Sequence, residues 1–163
     1  MDITLENIYN FLEENKTQLN YFRREDVVTD CGTSKFSSLV HDKQKDVHNI
    51  PQNVLDFLLK TFNIEEKDYH FIQIQKYEIG EYILPHIDCY PNFGLLSLST
   101  SSLDGLVLEN NENIFEFIPD VTGRFTRVPG YKWHWVNPVR EKTRYTAVYG
   151  MNPIKDYDNL LNQ

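Results

Sequence analysis

From Tyr69 to Tyr77 the chain alternates with period two: His70, Ile72 and Ile74 take one parity, while Phe71, Gln73, Gln75 and Tyr77 take the other. Successive side chains of an extended segment point to opposite faces, so this pattern predicts a strand with one apolar face. Short strand-like segments follow near 83–88, 94–100, 106–109, 114–118, 124–128, 132–137 and 144–149. Turn-forming clusters separate them at Ser102-Leu103-Asp104-Gly105, Glu109-Asn110-Asn111-Glu112-Asn113, 119–123, Pro129-Gly130 and 138–142. Many short strands at such regular spacing predict a sandwich or barrel.

Ahead of the strands the period lengthens. Leu5, Ile8, Tyr9 and Leu12 recur at helical spacing opposite Glu6, Asn10, Glu13 and Glu14, which predicts an amphipathic helix over 4–19 with Thr4 as its N-cap. A second helix is predicted over 51–62, where Pro51 suits the first turn and Val54, Phe57, Leu58 and Thr61 form a stripe. Between them, Asp26-Val27-Val28 reads as a short strand, and Gly32-Thr33-Ser34 and Asp42-Lys43-Gln44-Lys45-Asp46 read as loops. The polar stretch 32–48 has the composition of a lid. The expectation is therefore one mainly β domain over 1–163, with 1–68 as helical and loop support including the lid, and 69–152 as the core.

Composition narrows the classes. With 163 residues and a net charge of -8, the chain disfavours a grip on phosphate backbones, and its surface suits a basic peptide or protein better. Arg23-Arg24 and Lys43-Gln44-Lys45 are short clusters of the kind found on solvated faces. No apolar run approaches membrane-spanning length, and the start has neither a basic region nor an apolar signal core, so a soluble, unprocessed protein is expected. Cys31 and Cys89 form no disulfide framework, which points to a reducing compartment, the cytoplasm.

The candidate chemistry sits in the strands. His86 and Asp88 are two apart and so share a face, with Ile87 directed into the apolar layer behind. A second histidine, His134, lies between strand-forming residues, and Arg144 follows ten positions later in another strand-like run. Two imidazoles and one carboxylate can take one face of an octahedral iron(II), leaving three positions open. An arginine fork can hold the far carboxylate of a dicarboxylate co-substrate bidentately. His41, His48 and His70 have no partner at ligand spacing and read as surface or core histidines.

Six stretches recur in one family's order: Gln75-Lys76-Tyr77-Glu78-Ile79-Gly80, Pro85-His86-Ile87-Asp88, Leu106-Val107-Leu108-Glu109, Pro129-Gly130, His134-Trp135-Val136-Asn137-Pro138-Val139 and Thr143-Arg144-Tyr145. In these the chain resembles the iron(II)- and 2-oxoglutarate-dependent dioxygenases, and among them small prolyl-hydroxylase-type enzymes. The resemblance implies a double-stranded β-helix, a jelly roll, with helices against one sheet. It implies His86, Asp88 and His134 as iron ligands, Arg144 as partner of the 2-oxoglutarate C5 carboxylate, O2 as co-substrate and ascorbate as reductant. Collagen-type prolyl hydroxylases generally use lysine where Arg144 stands; hypoxia-sensor-type and many bacterial enzymes use arginine.

The implied substrate is a prolyl residue in an extended peptide or protein segment. Tyr77 stands where related enzymes hydrogen-bond the co-substrate. Ser97 and Ser99 make one face of their strand polar where a tyrosine often serves, and Thr146 shares the face of Arg144. Trp133 and Trp135 flank His134 and should face away from it. Where many prolyl hydroxylases carry a tryptophan this chain has Gly150, which predicts a wider pocket. Two rivals remain: a same-core oxygenase acting on a nucleic-acid base or another side chain, and a non-catalytic jelly-roll binding module. Acidic charge and the short His134-to-Arg144 spacing disfavour repair-type demethylases, and a binding module would leave the triad and its anchor unexplained.

Overall fold

The computed structural model describes residues 1–25, 28–29, 32–88 and 92–151. In chain order the elements are α1 (Ile8–Asn15), β1 (Phe22–Arg23), β2 (Val28–Thr29), β3 (Gly32–Thr33), β4 (Ser37–Asp42), β5 (Val47–His48) and α2 (Gln52–Phe62). The second part holds β6 (Tyr69–Tyr77), β7 (Ile83–His86), β8 (Asn92–Ser97), β9 (Ser101–Glu109), β10 (Phe115–Asp120), β11 (Phe125–Pro129), β12 (His134–Val136) and β13 (Arg144–Met151). A seven-stranded antiparallel sheet runs β1-β4-β6-β13-β8-β11, with β5 paired to β4. A four-stranded sheet in the order β10-β9-β12-β7 faces it, and β2 with β3 forms a separate hairpin. This is the jelly roll the resemblance implied.

Parity along the strands builds two cores. On β13, Tyr145, Ala147 and Tyr149 join Ile72 and Ile74 of β6 and Leu96 of β8 in a cluster against Ile8 and Leu12 of α1 and Val54, Leu55, Leu58 and Phe62 of α2. The opposite parity, with Phe71, Tyr77, Phe93, Leu95 and Val148, meets Leu106 and Val136 of the smaller sheet. Each fully buried aliphatic side chain contributes about 1.5–3 kcal/mol, so the helices are held by this stripe rather than by propensity.

Several boundaries move for local reasons. Thr4 and Asn7 exchange side-chain and backbone hydrogen bonds in a turn, and α1 begins only at Ile8 with Asn7 as its N-cap residue. The buried stripe of α2 is Val54, Leu55, Leu58 and Phe62; Thr61 faces outward, its hydroxyl on the Phe57 carbonyl. The helix ends at Asn63, whose φ of 54° gives the left-handed C-cap usually made by glycine.

The stretch 32–48, expected to be loop, is mostly strand, as β3, β4 and β5. β4 is an inner strand between β1 and β6, with Leu39 turned to the helices and Val40 to the interior. One aliphatic per face is too little alternation to read as a strand. The expected turn at Ser102 to Gly105 is also strand: β9 starts at Ser101, and buried Asp104 accepts the backbone N–H groups of Arg140 and Glu141 at 2.9 and 3.0 Å. A Cβ on Gly105 would overlap the Ile118 carbonyl of β10, so glycine there permits close strand approach rather than a turn. Of the strand expected at 26–28, Val28 lies in β2; Asp26 and Val27, like Cys31 and Cys89, fall outside the described residues. Among the described residues, no helix is long and apolar enough to cross a membrane.

Candidate functional site

β12 lies between β9 and β7, and its antiparallel register sets His134 directly opposite His86. Their rings are 4.2 Å apart, and both point between the sheets. Asp88, two residues past the end of β7, completes the group: its Oδ2 is 3.3 Å from His86 Nε2 and 2.7 Å from His134 Nε2. Three donor atoms, one from each residue, lie within 4.8 Å of one another. Divalent first-row ions bind such donors at about 2.1 Å, which at right angles separates neighbouring donors by about 3 Å, so the two distances bracket what an ion needs.

Backbone carbonyls aim both rings. His86 Nδ1 donates to Leu84 O at 2.7 Å, and His134 Nδ1 donates to Lys132 O at 2.9 Å, so each Nε2 carries the lone pair or the exchangeable proton facing Asp88. Burial alone would raise the Asp88 carboxyl, but hydrogen bonds and charge from His134 and His86 outweigh it and hold the group well below the usual carboxylate range. Burial likewise works against protonated His86, and the hydrogen bond and charge of Asp88 reverse this, raising His86 above its ordinary value. Ile87 does not enter the apolar layer; it is 44% exposed, because β7 is an edge strand and the chain has left the sheet by that point. Trp135 turns away from the site as expected and packs edge-on against Phe115 on the outer face.

The facing sheet supplies the polar groups. Arg144 and Val148 line a cavity of about 600 Å3 shared with His86, Asp88 and His134. Arg144 is 2% exposed and gripped by Asp120: its Nε donates to Oδ2 at 2.6 Å and its Nη2 to Oδ1 at 3.1 Å, while the Ser97 hydroxyl donates to Oδ1 at 3.3 Å. Nη1 makes no hydrogen bond to a described residue. Thr146, between Arg144 and Val148 on the same parity, is fully buried, and its hydroxyl has no partner among the described residues. An orphaned buried hydroxyl costs about 1–3 kcal/mol unless a ligand meets it. The free edge of Arg144, which lines the cavity beside it, fits a ligand carrying a carboxylate.

Tyr77 is buried opposite Arg144, whose guanidinium lies 5.2 Å from its ring centre. Burial pushes the phenol up despite the opposing Arg144 charge, so it stays neutral, and its proton goes to Gln75 Oε1 at 2.8 Å. Ser99 is not part of the cavity wall. Its hydroxyl bridges the backbone N–H and carbonyl of Tyr145 at 3.2 and 3.4 Å, which locks β13 where β8 ends.

Three features escaped sequence reasoning. Asp120, the counter-ion of Arg144, sits in a Pro-Asp stretch that reads as a turn. At Gly150 the expected extra room does not exist: Phe71, its register partner on β6, occupies the position, and a Cβ on Gly150 would overlap its ring. Phe71 and Phe93, 6.2 Å apart, form an aromatic wall, and Phe93 lies 6.3 Å from His134. The alternation from Tyr69 already put Phe71 on the parity of Tyr77, so that signal was present. Arg23 and Arg24, read as a solvated pair, both line the cavity. His41 and His48 face each other across β4 and β5, their Nδ1 atoms 2.9 Å apart.

Fold and site together define a double-stranded β-helix with a His-Asp-His group and a buried arginine in one cavity. Solved structures with this fold include a Trichoplax adhaerens prolyl hydroxylase in complex with a hypoxia-inducible-factor oxygen-degradation-domain peptide fragment, with a TM-score of 0.69, 13% identity, and coverage of 95% of this chain and 80% of that one. A Pseudomonas putida prolyl-4-hydroxylase gives a TM-score of 0.67 and 11% identity over 92% and 86% of the two chains. The non-haem α-ketoglutarate-dependent epimerase SnoN of nogalamycin biosynthesis gives 0.61 and 9% over 91% and 72%. No protein-family model and no curated protein sequence matches the chain. At these identities the likeness establishes the fold, and the chemistry rests on the residues of the site.

Proposed function

We propose that this chain is an iron(II)- and 2-oxoglutarate-dependent hydroxylase acting on a prolyl residue of a peptide or protein, in a reducing compartment such as the cytoplasm. The observation that carries the reading is the convergence, in one cavity, of two carbonyl-oriented imidazoles and a carboxylate with a buried arginine that keeps one guanidinium nitrogen free. His86, Asp88 and His134 are the proposed iron ligands. Iron(II) held there supplies, with 2-oxoglutarate and O2, hydroxylation of an unactivated C–H bond coupled to release of succinate and CO2.

The chain's own residues bind and orient. Arg144 Nη1 and the Thr146 hydroxyl are the proposed partners of the C5 carboxylate, and Asp120 holds the guanidinium so that no rotamer is left to order on binding. Phe71 and Phe93 exclude water beside His134 and offer a flat apolar surface to a pyrrolidine ring. The peptide seen with the Trichoplax enzyme supports an extended peptide as substrate. The SnoN likeness supports testing other outcomes, since the same fold carries an epimerase.

The test incubates the protein with iron(II), 2-oxoglutarate and ascorbate beside proline-rich, lysine-containing and asparagine-containing peptide pools and an oligonucleotide pool. Iron-dependent succinate with one added oxygen on proline is expected, and oxygen only on another residue or a base would sink the prolyl assignment. Asp88→Ala should abolish turnover and iron binding while the metal-free protein still folds, losing about 1–3 kcal/mol with the hydrogen bonds to His86 and His134. Iron-dependent succinate from Asp88→Ala at the wild-type rate would rule out the ligand assignment.

A further inference from the structure

The cavity wall formed by β1 and the β4–β5 hairpin carries cations: Arg23, Arg24 and Lys45. Arg23 is already neutralised, since it pairs with buried Glu81 and, at 2.9 Å, with Glu25. Arg24 and Lys45 have no carboxylate at ion-pair distance among the described residues. The other charged groups of the wall are compensated. Asp120 holds Arg144, the two imidazoles hold Asp88, and Asp42 accepts the backbone N–H groups of Gln44 and Lys45 at 3.0 and 2.9 Å.

Arg24 is also held in place. Its backbone N–H donates to Phe36 O at 2.7 Å, its Nη1 lies 3.5 Å from the Ser38 hydroxyl, and its guanidinium lies 5.7 Å from the Phe36 ring centre. Phe36 stacks on Tyr77 at 5.3 Å, and Tyr77 carries Arg144, so each ring of a stacked pair bears one guanidinium. One of those two is matched by a buried carboxylate, and the other lines the cavity with no carboxylate partner among the described residues.

We propose that Arg24, seconded by Lys45, is a carboxylate-recognition subsite for the substrate, so that the peptide entering this cavity carries an acidic side chain near the residue that reacts. The proposal rests on the peptide reading above and reverses the basic partner expected from net charge. Total charge sets the long-range field, but contact is decided by the nearest uncompensated group.

Two fluorescein-labelled peptides of one proline-alanine sequence, carrying either two glutamates or two glutamines, would be titrated against the full chain by anisotropy at low salt. The glutamate peptide should bind about tenfold more tightly, Arg24→Gln should compress the ratio to about twofold, and Arg24→Lys should retain most of it. Lys45→Gln should reduce it in part. Equal binding of the two peptides by wild type, or discrimination that survives Arg24→Gln, overturns the proposal. So does an Arg24→Gln protein that keeps discrimination but loses affinity for 2-oxoglutarate, which would assign Arg24 to the co-substrate. Iron(II)-dependent binding of 2-oxoglutarate is measured by calorimetry on the same wild-type preparation. Its absence would remove the oxygenase reading, while the binding ratio still decides the subsite.

Discussion

Arg144 and Asp120 form the most deeply buried charge pair of the site, and their joint burial separates two roles that a single substitution would confuse. Arg144→Ala strands Asp120, so it should lose about 3–5 kcal/mol of stability as well as co-substrate affinity. Replacing both, with Arg144→Met and Asp120→Leu, should return most of that stability in urea denaturation and leave 2-oxoglutarate binding weakened about thirtyfold or more by calorimetry. Wild-type affinity in the double variant would place the anchor elsewhere. His86 gives a pH dependence of opposite sign for the metal and for the bare fold. Its value is raised above the ordinary 6.5, so the His86–Asp88 pair stabilises the metal-free protein fully below that pH and loses its contribution as pH rises through the raised value. An ion needs the neutral ring, so iron(II) affinity should climb with pH through the same interval and then level off. A flat affinity between pH 6 and 8, measured by competition with a chelator (about two units spanning an ordinary histidine), would exclude His86 as a ligand.

Among the elements, β13 does the most positioning. It lies between β6 and β8 and turns Arg144 and Val148 to the cavity, with Thr146 buried between them on the same parity, and Tyr145, Ala147 and Tyr149 to the helices. Tyr145 extends that hold to α1, since its hydroxyl donates to Glu13 Oε1 at 2.8 Å. Gly150 matters through its neighbour on β6. Gly150→Ala should drive Phe71 from its place and cost about 1–3 kcal/mol by overpacking, and adding Phe71→Leu should recover part of it in thermal unfolding. If Gly150→Ala is neutral, the ring has a free alternative position and is no fixed wall of the cavity.

At the level of the whole molecule, the large sheet separates the helix-facing core from the cavity. Leu58 of α2 is fully buried in the former and touches nothing of the latter. Leu58→Ala should therefore cost about 2–5 kcal/mol by the cavity it leaves, with iron(II) and 2-oxoglutarate affinities of the folded fraction unchanged. An equal fall in both would mean that the sheet transmits helix packing to the site. The two sheets divide the site in the same way: the smaller carries the proposed iron ligands and the larger carries the groups for the organic ligands, so that each can be perturbed alone.

Local pattern determined a good deal of this protein. Alternation from Tyr69 onward gave most of the strands, and the two-residue spacing of His86 and Asp88 put both on one side of an extended segment, because side-chain parity is a property of the backbone itself. The helices were legible from their apolar stripes for the same reason. What sequence could not supply was anything decided between segments far apart in the chain. β4 is a strand because β1 and β6 flank it, although its own residues read as loop. Ile87 is exposed because β7 is an edge, and Ser99 serves the backbone of Tyr145 because β8 ends there. Asp120 meets Arg144, Phe71 fills the space at Gly150, and Arg24 reaches the cavity only once two sheets have closed on each other, since registers and facing surfaces are fixed by tertiary packing and not by the spacing of residues along one strand.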